Sequence, residues 1–483
     1  MPDSAEESQK SHPTQIRPHE LIRNSARPNW PVMGIAMLAS PAANLYVRDE
    51  WIGWTVDNVI EKVLSQEWDA SAVALTLLNS LKKAIDGIRS DDMISSEERR
   101  LPTKQTMFRL NTILARAEHR RNEDLDSEGG NTQDLVDIRN FAKGTVFTND
   151  DWHRLSSTAL YTKKRAGLLI LLLKAFTCFQ SFRIKEAPAA ALYEMLVTKR
   201  GRDAIGVALL EIRKLRLATE VADISVCGAV PPYNELLGGK LVALAMMSRE
   251  ARNAYGSKYA ARQSEIASQL SGKPVVRSAK LKILTTASLY GVGSSQYNRL
   301  KIKSAEFDGI DYDLELRYLD ETKGFTVTHV SKRTARYMRA LAHNYYGRHR
   351  INSVFGEGSS PRTRQIREGL NLIGINNGHV LEQNLVRLVY ACELYPGSKG
   401  DLLGWCKSKG AVPGPTLRAI GRAWIRRWVA KRIQLKEVRE RMLEANGNTI
   451  SENLRRRAER ARLEEDGAPN DAIQSELEFS DQL

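Results

Sequence analysis

Cysteine is scarce in this chain. Four residues in 483, at positions 178, 227, 392 and 406, form no C-x-x-C pair and have no histidine beside them. That spacing excludes a disulfide framework and a paired-ligand zinc site. Histidine is scarce as well: its eight copies are scattered, and neither a Ser/His/Asp set nor a metal-ligand cluster emerges. Long apolar runs are missing. The most apolar one, Gly167–Leu173 (GLLILLL), stops at Lys174, well short of the roughly 18 residues that a membrane span needs. It reads as a buried helix, and no membrane partner is expected. Residues 1–29 are polar and lack an apolar core, so they read as a disordered tail without a secretory leader. A reducing cytoplasm fits the unpaired thiols. No internal repeat is visible.

Positive charge is present in excess. Lys and Arg number 72 against 57 Asp and Glu, a net charge of +15. A field of that sign favours polyanions, nucleic acid first among them, although a basic protein can also simply be soluble. The apolar fraction, 42%, is that of a globular protein, and the length suits about two or three domains.

The pattern along the chain predicts an α+β fold. Val32–Leu38 and Asn44–Val47 read as short strands joined at Ser40-Pro41. Residues 61–215 carry apolar residues at three- and four-residue spacing and read as a helical domain, with a polar Gly-Gly loop over Arg120–Asp134. Ala222, Ile224 and Val226 alternate with Asp223, Ser225 and Cys227, the period of a strand. A long helix over Arg249–Leu270, a strand over Leu281–Ser288 and an antiparallel hairpin follow. The hairpin pairs Tyr312–Tyr318 with Phe325–His329 about a Thr322-Lys323-Gly324 turn, with His329 in a structural place. Helices are expected from Ser331 onward, at Ser331–Tyr346, Pro361–Leu372 and Glu382–Leu394. Together with a long basic helix from Pro415 to about Glu464 they make a C-terminal basic region over 336–463. Residues 464–483 form an acidic tail.

Five motifs carry candidate chemistry. In CGAVPPYNELLGGK a strand ends at a Pro-Pro loop, and Gly238, Gly239 and Lys240 open an apolar helix. Free N–H groups and a cation at that point suit an anion, and Tyr233 and Asn234 stand just before it. The glycines equally suit close packing of helix on strand, and the P-loop spacing is absent because Leu241 follows Lys240. In LYGVGSSQYNRLKIK, Ser294, Ser295, Tyr297, Asn298 and Arg299 form a dense donor set beyond a strand end, and Lys301 and Lys303 are spaced to track phosphates. In RDEWIGW, Asp49 is the best carboxylate for proton transfer, or else the partner of an arginine, and Tyr297 is the second candidate catalytic group. In EGSSPRTRQIREGL, Arg362, Arg364 and Arg367 oppose the dipole of the helix that Ser360-Pro361 starts, a mismatch that an anionic partner would offset. Arg422, Arg426 and Arg427 are interleaved with Trp424 and Trp428, which suits phosphate contact with base stacking, or an amphipathic helix packed on the body of the protein.

On these strings (RDEWIGW, CGAVPPYNELLGGKLVAL, LTTASLYGVGSSQYNRLK, GFTVTHVS and VFGEGSSPRTRQIREGL, in that order over roughly residues 30–395) the chain resembles the DruA family of the bacterial Druantia anti-phage defence systems. The resemblance implies antiviral defence beside other Druantia proteins, and a core distantly similar to GNAT-type acyltransferases. It implies a discontinuous GNAT-like core over 30–60 and 216–335, a mixed sheet in which Trp30–Trp54 joins Val221–Val330 across the inserted helices. The acyl-CoA loop of GNAT enzymes, Q/R-x-x-G-x-G/A, is not reproduced, so no cofactor is identified. Binding of nucleic acid, an acyltransferase or nucleic-acid-modifying activity in the same cleft, and a structural adaptor all remain as readings.

Overall fold

The computed structural model describes residues 19–126, 147–260, 262–288, 296–306, 310–325, 331–350, 361–375, 382–406 and 412–445, with a few single positions out to 459. Ser294, Ser295, Val354–Ser360, His329, most of the polar loop after Arg120, the side chain of Arg362 and the tail 464–483 lie outside the described residues.

Eight strands are described: β1 (His19–Arg23), β2 (Val32–Ala39), β3 (Val221–Ala229), β4 (Ile283–Ser288), β5 (Lys301–Ile302), β6 (Leu314–Glu315), β7 (Arg317–Phe325) and β8 (Glu382–Glu393). Six of them form one mixed sheet in the order β1-β2-β3-β4-β8-β7, and β5 pairs with β6 in a small separate ladder. The fold is therefore α+β, with a mixed sheet. β2 lies antiparallel to β3, from Gly34↔Ala229 to Ala39↔Asp223, so the two segments expected to share a sheet do so although some 180 residues separate them. β3 and β4 run parallel over three residue pairs, Val221↔Ile283 to Asp223↔Thr285. The other described pairings are antiparallel.

Nine helices, α1 (Tyr46–Ile52), α2 (Val56–Leu64), α3 (Ala70–Asp86), α4 (Ser96–Arg100), α5 (Lys104–Asp126), α6 (Asn149–Ser156), α7 (Ala159–Ser181), α8 (Pro188–Val197) and α9 (Lys199–Glu220), are described between β2 and β3. Their starts are set by local chemistry. The side chains of Thr55, Asp69, Ser95, Thr148 and Thr198 each accept a bond from the backbone N–H three residues on. Val73, Leu77, Leu81 and Ile85 put one face of α3 into the core. The apolar run Gly167–Leu173 sits inside α7, with Leu169, Ile170, Leu172 and Leu173 buried. Among the described residues no helix is long and apolar enough to cross a membrane. Most of these helices share one core, which reaches Val221 and Ile283 at the base of the sheet, while Trp152 and Leu155 of α6 form a small cluster of their own with Phe147.

The second core joins the sheet to α10 (Gly238–Ala245): Ala222, Ile224, Val242, Leu244, Leu284 and Tyr390 are all buried in it. After α10 come α11 (Arg249–Tyr259), α12 (Glu265–Ser271), α13 (Lys332–Arg350), α14 (Pro361–Leu372), α15 (Ser398–Leu403), α16 (Leu417–Trp424) and α17 (Lys436–Glu444).

Several expectations are corrected. Residues 19–23 are an edge strand on β2 and do not belong to the tail. The strand expected at Asn44–Val47 is replaced by α1. Glu382–Leu394 is not a helix: it is β8, which fills the gap between β4 and β7. Leu388–Cys392 are buried without alternation, as in a strand covered on both faces, and such a run carries no strand period. The sheet therefore extends into the region expected to be wholly helical. Thr322-Lys323-Gly324 is no turn, because β7 runs through it, with Thr322 opposite Arg387 and Lys323 opposite Val386. The helix expected at Arg249–Leu270 breaks between α11 and α12. The long basic helix is likewise interrupted. α16 passes through a π-helical turn, Ile425–Val429, and stops before α17.

Candidate functional site

The Gly-Gly-Lys segment leads from β3 into α10. A short 3-10 turn, Tyr233–Leu236, ends at Leu237 in the left-handed region (φ 58°), and α10 follows at once. A Cβ on Gly238 would stand 2.6 Å from the Tyr233 carbonyl oxygen and 2.8 Å from the Ala229 Cβ. One on Gly239 would meet the Gln296 Oε1 at 2.9 Å. Gly238 is thus required by contact with its own turn and with β3, while at Gly239 the near atom is the movable end of the Gln296 side chain on the loop after β4.

Lys240 points into that junction. It is 8% exposed, and its Nζ donates to the Asn298 carbonyl at 2.8 Å and lies 5.8 Å from the centre of the Trp428 ring. Burial, with the charges of Arg427 and Arg299 adding to it, pushes the ammonium down to about 8. The bond to Asn298 ties the Gly-Gly-Lys turn to the Gln-Tyr-Asn-Arg loop, so the two motifs form one unit.

The C-terminal helices clamp this unit. Trp424 Nε1 donates to the Leu237 carbonyl at 3.2 Å, and Arg441 Nε donates to the Glu235 carboxylate at 2.7 Å. Tyr233 accepts a bond from Asn24 at 3.0 Å, and the Asn234 amide donates to Glu235 at 3.0 Å. Tyr297 is buried. Burial holds its phenol far above its ordinary range, the neighbouring Cys227 adds to this, and hydrogen bonding with Thr286 and Gln296 opposes it. Gln296 donates its amide to the Cys227 carbonyl at 3.0 Å, where β3 and β4 have stopped pairing. Burial also pushes the Cys227 thiol up to about 12, so neither group is poised to react near neutral pH.

Asp49 is engaged elsewhere. Its Oδ1 accepts from Arg48 at 2.6 and 2.9 Å, and its Oδ2 accepts from Arg213 of α9 at 2.7 Å. Arg48 is fully buried and acts electrostatically on Asp223, four residues along β3 from Cys227, or about 13 Å at strand rise. The two candidate catalytic groups are therefore set in different parts of the molecule, Asp49 between two guanidiniums and Tyr297 beside Cys227.

The basic candidates fall into two groups. Arg299 (φ 57°) and Lys303 are exposed on the loop and strand after Tyr297. Arg426 donates to the Glu306 carbonyl at 2.5 Å, and Arg427 pairs with the Glu306 carboxylate at 2.8 Å, its guanidinium 5.1 Å from the Trp428 ring centre. Glu306 thus brings the exposed Arg426 and Arg427 up to the Arg299–Lys303 segment, and Arg422 is exposed one turn earlier on α16. Lys301 lies 3.3 Å from Glu315 and 3.5 Å from Asp313, which offset its charge. The second group is separate: Arg364, half-buried, and Arg367, exposed, are carried by α14, which packs tightly on α13. A Cβ on Gly369 would stand 2.5 Å from the Met338 carbonyl oxygen. Sequence reasoning missed Glu306, Gln296 and the burial of Lys240. All three depend on contacts between distant segments and leave no local signal. Among the described residues no group of His, Cys, Asp and Glu could hold a metal ion.

A family model described as Druantia protein DruA matches residues 192–399. Druantia protein DruA from Escherichia coli (strain UMEA 4076-1) is 32% identical over 176 residues, which cover 36% of this chain and 39% of that protein. The chain resembles DruA over this central part. The family match takes in β3, α10, the loop with Tyr297 and β8, and leaves out β1, β2 and the basic α16. No solved structure matches.

Proposed function

We propose that the chain is a component of a Druantia anti-phage defence system and engages nucleic acid through a basic surface beside a GNAT-like cleft. The observation that carries the nucleic-acid reading is the joining of two distant basic segments over Glu306. Arg299, Lys303, Arg426 and Arg427 gather near a buried Lys240, on which Arg427 and Arg299 act. Such a concentration of charge raises the local potential toward a phosphate backbone, and Trp428 adds a stacking face. The resemblance to DruA supports the place in a defence system, and other Druantia proteins are then the expected partners.

A GNAT-like core is supported by the topology. β3 and β4 form a parallel pair linked through α10, flanked by antiparallel strands, with β2 contributed across the helices 61–215 as an insertion. In this reading the core runs over 30–60 and 216–335 and extends to β8. The same parting of β3 from β4 favours a second reading, an acyltransferase or nucleic-acid-modifying enzyme. Against it, Gln296 and Tyr297 occupy the place where the strands part, Asp49 is tied up by Arg48 and Arg213, and burial holds the Tyr297 phenol far above its ordinary range.

The test is binding of fluorescent duplex DNA by the purified chain, with phage-plating efficiency of cells carrying the whole system. Arg426→Glu with Arg427→Glu should lower both affinity and protection. Unchanged affinity would remove the nucleic-acid reading. Lost affinity with full protection would separate binding from defence.

A further inference from the structure

The basic residues of α13 and α14 have no part in the cluster over Glu306. α13 carries six Lys and Arg and no Asp or Glu, and α14 adds three Arg against one acid, Glu368. The two helices share a small apolar core. Ala335 and Met338 meet Ile366 and Leu370, and Ala342 is buried on the same face of α13. That spacing fixes which face of α13 turns outward. Arg333, Arg336, Tyr337, Ala340, His343 and Asn344, three and four residues apart, are all exposed on the opposite face. α13 also touches α5 of the helical half, whereas α16 packs on α10, so this stripe stands on different neighbours from Arg426 and Arg427.

Among the described residues Arg333 and Arg336 have no ion-pair partner. The Arg333 guanidinium lies 5.9 Å from the centre of the Tyr337 ring, and Tyr337 is 58% exposed. A helix that lies on a bilayer turns large aliphatic side chains toward the lipid. Here the outward face has none, and the apolar face is covered by α14. A duplex offers phosphates but keeps its bases stacked inside, so an open ring has nothing there to stack on. A single strand presents phosphates and unstacked bases together, which suits guanidiniums beside an exposed aromatic ring. We propose that the outward face of α13 binds single-stranded nucleic acid, with Arg333 and Arg336 on phosphates and Tyr337 against a base. The proposal rests on the reading of the chain as a nucleic-acid binder and adds a second site of different preference: duplex phosphates at Arg426 and Arg427, an unpaired strand at α13.

The test uses the full chain, with short fluorescent oligothymidylate, oligouridylate and a DNA duplex of the same length as probes. Tyr337→Ala should weaken single-strand affinity by about fivefold or more, and Tyr337→Phe, which keeps the ring, should restore it. Arg333→Ala with Arg336→Ala should make the salt dependence on the single strand shallower by about 1.4 units of slope. All three positions are exposed, so these variants should melt as the native chain does. Duplex affinity should fall much less in them, and Arg426→Glu with Arg427→Glu should do the reverse. The tighter of the two single strands names DNA or RNA as the source. The proposal is overturned if the α13 variants bind both single strands as the native chain does, or if they lose only binding to vesicles of anionic lipid. In either case, duplex binding lost in the Arg426/Arg427 variant leaves the first site standing. Duplex binding kept there, with single-strand binding lost in the α13 variants, removes the first site alone.

Discussion

The two halves of the molecule bury positive charge in opposite ways. In the helical half, Arg165 is fully buried and fully answered. Its guanidinium meets both oxygens of Asp92 at 2.7 Å and donates to the backbone carbonyls of Ser156 and Arg89. Arg48 and Arg213 share Asp49 in the same manner. In the sheet half, Lys240 is also buried and donates to the Asn298 carbonyl, and burial with the charges of Arg427 and Arg299 lowers its pKa. A buried cation matched by a carboxylate holds a fold together. A buried cation held beside others keeps a positive potential at the surface, which is what an anionic partner reads. By this difference Asp49 belongs to the architecture and the Lys240 group to the candidate interface.

The contrast is most exposed to failure at Arg165. Arg165→Met removes the donor to the Ser156 and Arg89 carbonyls and one partner of the partly exposed Asp92, and should destabilise the helical half by about 1–3 kcal/mol in denaturant melts, with DNA affinity of the folded protein unchanged. A loss of DNA binding without loss of stability would reverse the assignment of the two halves. Next in size, exchange of Arg426 and Arg427 for glutamate should weaken duplex binding roughly 100-fold at low salt while the melt shifts little, since both guanidiniums are exposed.

Lys240 gives a smaller, pH-dependent effect. Its folded value, about 8, lies below its ordinary 10.5, so between the two the unfolded chain binds more protons. Stability should therefore rise with pH through that window, by on the order of 2 kcal/mol, and the rise should be missing in Lys240→Met. Denaturation midpoints of the two proteins from pH 7 to 10.5 read this directly. A parallel pH course in both would mean that Lys240 keeps an ordinary pKa. Smallest of all, Arg299→Ala should cost about three- to fivefold in DNA affinity and flatten its salt dependence by about one unit of slope.

Much of the architecture was legible because it is written locally. The alternation from Ala222 to Cys227 marked β3, Val32–Leu38 marked β2, and the spacing of apolar residues marked most of the helices between them. β8 was not legible: the buried run Leu388–Cys392 has the length of a strand but no period, and only its two partners decide the matter. The site was half legible. Gly238, Gly239 and Lys240 stood out, yet the glycines answer to Tyr233, Ala229 and Gln296, and the lysine to Asn298 some 58 residues away. The meeting of Arg426 and Arg427 with Glu306, across about 120 residues, has no counterpart in spacing or composition.

The most direct test of the interface is the salt dependence of duplex affinity in the native chain and in the Arg299→Ala/Arg426→Ala/Arg427→Ala variant. If these three cations face phosphates, the plot of log affinity against log salt should become shallower by about two to three units. Equal slopes in the two proteins would contradict the assignment of this cluster to a nucleic-acid partner.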